Sequence, residues 1–204
     1  MIPKDIEHYY KLHSKFYDLT RWAFLFGRNS LPKSFPALEK NSQILDLGCG
    51  TGKHLEQLAK KYPDSSILGL DRSKDMLRLS NRAIGNSVDI IHDTYSEDSF
   101  EKNSFDLILC SYSLTMFNNI EKTIRTIKYH LKTNGVLLVV DFDSTPFGWF
   151  SKWMKKNHVS FEPNLFMLLK KEFPESETKF MRAYFGLYSY SLLVYSDREL
   201  LIRH

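Results

Sequence analysis

Apolar and polar positions divide this chain into segments of two distinct periods. Over residues 3–26, Ile6, Tyr9, Tyr10, His13, Phe16, Tyr17, Thr20 and Phe24 recur at helical spacing, which predicts an amphipathic helix closed by Gly27. A loop with Pro32 and Pro36 leads to a strand at Gln43–Leu47. The pattern then alternates: helix Gly52–Lys61, strand Ser66–Leu70, helix Ser73–Ile84, short strand Val88–Ile91, strand Phe105–Cys110 and helix Ile120–Leu131. Asn118 with Glu121 forms a capping-box-like start to the last of these. Gly135–Phe142 (GVLLVVDF) is almost continuously apolar, as a central strand covered on both faces should be. Such alternation predicts a parallel, doubly wound sheet with right-handed crossovers. Lys179–Phe185 and Tyr188–Tyr195 meet around Gly186, and so short a link requires antiparallel pairing. The expected fold class is α/β: a mostly parallel seven-stranded sheet ending in an antiparallel hairpin.

Composition adds bounds rather than direction. A chain of 204 residues suits one domain, able to bury about 70% of its unfolded surface. The net charge of +4 is too mild to indicate a nucleic-acid partner. The opening MIPKDIEHYYKLHSK is too polar for a signal peptide, and no apolar run approaches the ~20 residues of a membrane span. Cys49 and Cys110 lack metal-ligand or disulfide spacing, so no metal is expected and a cytoplasmic, reduced protein is.

The chemistry begins at Ile44–Gly52, ILDLGCGTG. A dinucleotide-binding loop has its third glycine three positions after the second, but here that position is Lys53 and the glycine comes early, at Gly52. Asp46, at the end of the preceding strand, would repel a pyrophosphate but suits a cationic ligand such as S-adenosylmethionine, with its ammonium and sulfonium. Gly48 and Gly50 allow close backbone approach at the carboxyl end of the strands. Asp71, at the end of the next strand, is placed to accept hydrogen bonds from ribose hydroxyls, a need shared by both ligands.

ILDLGCGTGKH, ILGLDRSKDML, FDLILCSYSLTMF and LKTNGVLLVVDF together resemble the successive motifs of class I S-adenosylmethionine-dependent methyltransferases, from about Gln43 to Phe142. The resemblance implies one methyltransferase domain: residues 1–40 a helical cap, 41–143 the cofactor-binding core, 144–173 a helical lid and 174–204 the hairpin. It implies that Asp46, Gly48, Cys49 and Gly50 surround the methionine end and that Asp71 holds the ribose. Met76 would pack on the adenine, Asp93 would accept from its amino group, and Ser111 would line the reaction centre.

For the acceptor, CSYSLTMF lacks the turn typical of enzymes that methylate nucleobase amines, and no paired-glutamate loop marks a protein arginine methyltransferase. Nucleic acid is not an expected partner. YYKLHSKFYDLTRWAFLFGR, CSYSLTMF, VVDFDS and NHVSFEP are similar to bacterial betaine-lipid N-methyltransferases, which trimethylate diacylglyceryl-homoserine, and to their quinone and phosphatidylethanolamine methyltransferase relatives. This resemblance implies an amino-lipid acceptor, with Tyr17 and Tyr112 as aromatic walls and His158 accepting or relaying the amine proton. Asp141 and Asp143 are alternative amine-binding acids, and Arg21 and Arg28 candidates for the lipid carboxylate. Trp22, Trp149 and Trp153 lie beside Lys and Arg, as a peripheral membrane contact needs, although the same rings would also serve to cap the cleft or fill the core. Phosphatidylethanolamine or quinone methylation, and a non-catalytic S-adenosylmethionine-binding module, remain open alternatives.

Overall fold

The computed structural model of the chain describes residues 25–77, 88–161 and 163–196. Strands β1 (Gln43–Leu47), β2 (Ser66–Asp71), β3 (Asp89–His92), β4 (Phe105–Ser111), β5 (Leu131–Ser144), β6 (Glu177–Ala183) and β7 (Tyr188–Ser196) form one sheet. Its order is β3-β2-β1-β4-β5-β7-β6. Pairing is parallel from β3 through β5 and antiparallel at β5–β7 and β7–β6. The expected fold class is therefore the observed one.

Alternation along the central strands explains the layers. Ile44, Leu107, Leu109, Val136, Leu138 and Val140 face one side, where they meet Leu55 and Leu58 of helix α1 (Lys53–Lys61) and Phe150 and Met154 of helix α3 (Gly148–Lys156). Leu45, Leu47, Ile108, Cys110, Leu137 and Val139 face the other. There they pack on Ile124 and Ile127 of helix α2 (Ile120–His130) and on Leu165, Phe166 and Leu169 of helix α4 (Leu165–Glu172). Side chains of period two on the strands thus fill both faces at once, which is why β5 reads as a continuous apolar run.

Several local expectations change. Helix α2 is capped by Asn119, whose Oδ1 accepts from the Lys122 N–H at 2.9 Å, one residue beyond the predicted Asn118. It ends at His130, and β5 begins at once at Leu131, with an irregularity between the Phe105–Leu131 and Leu107–Val136 pairs. β6 stops at Ala183 because the chain reverses through Tyr184–Gly186, with Tyr184, Phe185 and Gly186 all at positive φ. Residues 144–173, expected as a helical lid, include α3 and α4, which pack on opposite faces of the sheet through their buried apolar sides. The predicted helix at Ser73–Ile84 is described only as far as Leu77, and the predicted N-terminal helix lies almost wholly outside the described residues.

Candidate functional site

The strand order reverses between β1 and β4, and open α/β sheets bind ligands at the carboxyl ends beside such a reversal. A cavity of about 240 Å³ lies there, with Gly48, Gly50, Asp71, Met76, Asp93 and Tyr112 among its walls. Gly48 and Tyr112 are brought together because β1 and β4 are neighbours in the sheet.

The glycine turn is held open from below. Gly48, Gly50 and Gly52 have φ of 76°, 57° and 78°, a left-handed region costly for any other residue type. The Gly48 and Cys49 N–H groups donate to Leu70 O, at 2.7 and 3.2 Å. The Gly50 N–H donates to Asp71 Oδ2 at 2.9 Å, and the Ser73 N–H donates to Asp71 Oδ1 at 2.8 Å. Asp71 therefore fixes the loop while its remaining lone pairs stay available on the cavity wall. A Cβ on Gly48 would fall 2.4 Å from Ser113 Cβ, so that wall admits only a glycine. Met76 is 2% exposed, and its Cε lies 3.7 Å from where a Cβ on Gly50 would stand.

Asp46 is the unusual group. It is 1% exposed, and both carboxylate oxygens lack a hydrogen-bond partner among the described residues. Burial pushes its pKa up to about 7, against the opposing field of Arg28. It stands near the end of β1, just before the turn, and does not line the main cavity. A buried carboxylate without a hydrogen-bond partner, only partly offset by the Arg28 charge, is matched to a further cation.

Other predicted positions fall differently. Cys49 is buried, with its Sγ 2.9 Å from where a Cβ on Gly69 would stand; burial raises the thiol pKa, so its thiol is inert and only its backbone faces the turn. Asp93 is exposed on the cavity wall, its Oδ1 accepting from the Thr94 N–H at 2.6 Å. Ser111 does not line the cavity, since its Oγ lies 3.1 Å from His54 Nε2; Tyr112 and Ser113 occupy the wall instead. Tyr112 is held at φ 53°, its hydroxyl donates to Phe26 O, and its ring packs edge-on against Phe142. Tyr17 and Arg21 lie outside the described residues.

Both alternative acids have partners of their own. Asp141 accepts from Leu114 N–H, Thr115 N–H, Thr115 Oγ1–H and Phe142 N–H, so it organises the turn after β4. Asp143 accepts from Asn164 Nδ2–H and Ser191 Oγ–H. His158 lines a second cavity beside the first, together with Arg72 and Lys155.

Two buried groups escaped the sequence reading. His54 bridges Gln57 and Ser111, and burial with the Arg28 charge lowers its pKa to about 4, so it is neutral. Ser113 donates to Leu47 O at 2.8 Å and locks β1 to the turn after β4. His54 stands inside GTGKH, but nothing local in the sequence marks its partner across the sheet. At the surface, Trp149 is 65%, Trp153 45% and Phe185 114% exposed, so these rings do not fill the core. No described helix is long and apolar enough to cross a membrane.

Residues 44–135 match a family described as a methyltransferase domain. Over 105 residues, 51% of this chain and 38% of the relative, the chain is 33% identical to malonyl-[acyl-carrier protein] O-methyltransferase of Priestia megaterium. It is 29% identical to the ubiquinone/menaquinone biosynthesis C-methyltransferase UbiE of Wigglesworthia glossinidia brevipalpis, over 67% of this chain and 58% of that one. The chain spans less than half the length of the malonyl-[acyl-carrier protein] relatives it matches. Among solved structures, phosphoethanolamine N-methyltransferase 2 of Haemonchus contortus, in complex with S-adenosyl-L-methionine, superposes with a TM-score of 0.69 at 16% identity, covering 82% of this chain and 51% of that one. The YcgJ protein of Bacillus subtilis gives a TM-score of 0.64 at 16% identity, covering 83% and 97%. Residues 44–135 are thus similar to a methyltransferase domain, and the chain has the fold of solved methyltransferases.

Proposed function

We propose that this methyltransferase domain binds S-adenosylmethionine in the main cavity and methylates the amino headgroup of a lipid, with diacylglyceryl-homoserine as the favoured acceptor. The observation that carries the donor is Asp46: a buried carboxylate without a partner, beneath glycines that expose backbone to a ligand. The buried charge of Asp46 would favour the donor's cationic end, Gly48 and Gly50 would admit its backbone-close approach, and Asp71 would accept from the ribose hydroxyls. Met76 and Asp93 would hold the adenine by packing and by accepting its amino protons. When bound, the donor supplies a methyl group already activated on sulfonium sulfur, for in-line transfer to a nucleophile.

The chain's own contribution is then alignment and exclusion of water. Tyr112 presents an aromatic wall, with its hydroxyl tied to Phe26 O and so turned away from proton transfer. An aromatic face holds an increasingly methylated ammonium through cation–π attraction of about 0.5–2 kcal/mol. Tyr17 is proposed as the opposing wall. The acceptor amine must lose its proton before it attacks, and desolvation in the site favours its neutral form.

Two features support a lipid acceptor: the resemblance to betaine-lipid enzymes and an aromatic surface beside the site. Phe26 packs edge-on to Tyr184 at 5.1 Å, Tyr184 lies 6.2 Å from Tyr188, and Tyr188 stacks on Phe150 at 5.8 Å. This chain of rings carries the exposed Phe147, Trp149, Trp153 and Phe185. Lys152, Lys155 and Lys156 accompany them on α3, whose sequence GWFSKWMKK contains no acid. Such a surface suits peripheral contact with an anionic membrane.

The test is methyl transfer from labelled S-adenosylmethionine to diacylglyceryl-homoserine, phosphatidylethanolamine and a demethylquinone, each analysed by mass spectrometry. Trimethylation of the homoserine lipid is expected. Transfer only to the quinone would replace the acceptor, and tight donor binding without transfer to any lipid would leave a binding module.

A further inference from the structure

A second cavity of about 240 Å³ shares Arg72, Met116, Phe117 and Asn118 with the donor cavity as a common wall. Its far side is built from the end of α3 and the loop after it, including Lys155, His158 and Ser160. Its ionisable groups are Arg72, Lys155 and His158, and no acid is among its described lining residues. Among the described residues, neither Arg72 nor Lys155 is engaged in an ion pair. Two cations converge on one cavity with no carboxylate beside them among the described residues.

The walls are fixed rather than loose. Asp141 pins the turn at Leu114 and Thr115, and the Ser160 N–H donates to Thr115 O at 3.2 Å, tying the far wall to that turn. His158 is held at φ 63°, a left-handed conformation that a residue other than glycine keeps only when its surroundings impose it. The carbonyls at the end of α3 would oppose an anion, but Met154 O accepts from the Asn157 and Val159 N–H groups, and Lys155 O from the His158 N–H. Their field is partly answered before any ligand arrives.

We propose that this cavity is an oxyanion subsite: Arg72 and Lys155, with His158 as a further donor, hold a carboxylate or phosphate group of the methyl acceptor. The inference rests on the reading of the main cavity as the methyl-donor site. With Arg72 on the shared wall, an anchored anion leaves the amine of the same small headgroup directed toward the donor. The acceptor class is therefore a zwitterion, an amine carrying its own anion a few bonds away, and not a neutral ring. His158 becomes a positioning residue for the acceptor rather than a base for its amine.

The test titrates the full chain, saturated with S-adenosylhomocysteine, with homoserine, phosphoethanolamine and ethanolamine at constant ionic strength, by calorimetry. Homoserine and phosphoethanolamine should bind at least about tenfold more tightly than ethanolamine, which lacks the anion. Lys155→Gln and Arg72→Gln should each weaken the two anionic probes about tenfold, whereas Lys156→Gln, outside the cavity, should not. Lys155→Gln should leave S-adenosylhomocysteine affinity unchanged, because Lys155 lines only the second cavity. Equal binding of ethanolamine, unchanged affinity in both variants, or no binding of either anionic probe would overturn the subsite. Failure of S-adenosylhomocysteine to bind would instead overturn the donor-site reading, and the anion titration can be run without it. Methylation of vesicle-borne diacylglyceryl-homoserine but not free homoserine would identify the anion's source as a lipid headgroup; the reverse would identify a soluble acceptor.

Discussion

Replacing Asp46 by asparagine should stabilise the unliganded protein at pH 8 and, at the same time, weaken its hold on the methyl donor. The carboxyl is 1% exposed, unpartnered, and has a pKa of about 7 against an ordinary 3.8. A folded-state value above the unfolded one means that the protonated form favours the fold. The contribution is complete below about pH 3.8 and is lost as pH rises through about 7. At about 1.4 kcal/mol per pH unit, the ionised group costs the fold about 4 kcal/mol at pH 8. The asparagine amide carries an unsatisfied-group penalty of its own, about 1–3 kcal/mol, leaving a net gain of about 1–3 kcal/mol. Urea unfolding of both proteins at pH 5 and pH 8 reads this directly, and the gain should shrink toward zero or reverse at pH 5. Calorimetry with S-adenosylmethionine should show at least a tenfold loss of affinity in the variant, because a cation no longer meets a carboxylate. For the wild type, affinity should rise with pH through about 7 as Asp46 ionises. A variant that is less stable at pH 8 by the same amount as at pH 5, with donor affinity intact, would refute the reading of Asp46 as a partnerless carboxylate awaiting a cation.

Three further outcomes are expected. Gly48→Ala places a Cβ 2.4 Å from Ser113 Cβ at φ 76°, so stability should fall by about 2–4 kcal/mol, and adding Ser113→Gly should recover the overlap but not the backbone strain; thermal unfolding of both variants separates the two. Asp141→Ala strands the donors of Leu114, Thr115 and Phe142, and should cost about 3–5 kcal/mol in urea unfolding. Trp149→Ser with Phe185→Ser removes two of the most exposed rings, and should abolish most co-sedimentation with anionic vesicles while leaving S-adenosylhomocysteine binding unchanged.

Much of this protein was legible in one dimension because the information is local. Short continuous apolar runs such as GVLLVVDF and period-3.6 stripes such as Ile120, Ile124 and Ile127 mark strand and helix by length and spacing. Their alternation leaves few topologies open. The turn after β1 was equally legible, since left-handed φ at Gly48 and Gly50 is a demand on residue type that the sequence must answer in place. What the sequence could not decide is where a polar side chain finds its partner. Asp46 and Asp141 both end buried at the sheet, yet one has no donor and the other has four. Ser111 turns to His54 on α1 rather than into the cavity, and His158 is brought to Arg72 across 86 positions. Hydrogen bonds and charge pairs act over a few ångströms, whereas these partners are tens of residues apart along the chain. Only the folded sheet, by setting β1, β2 and β4 side by side and laying α3 beside their ends, determines which of these groups meet.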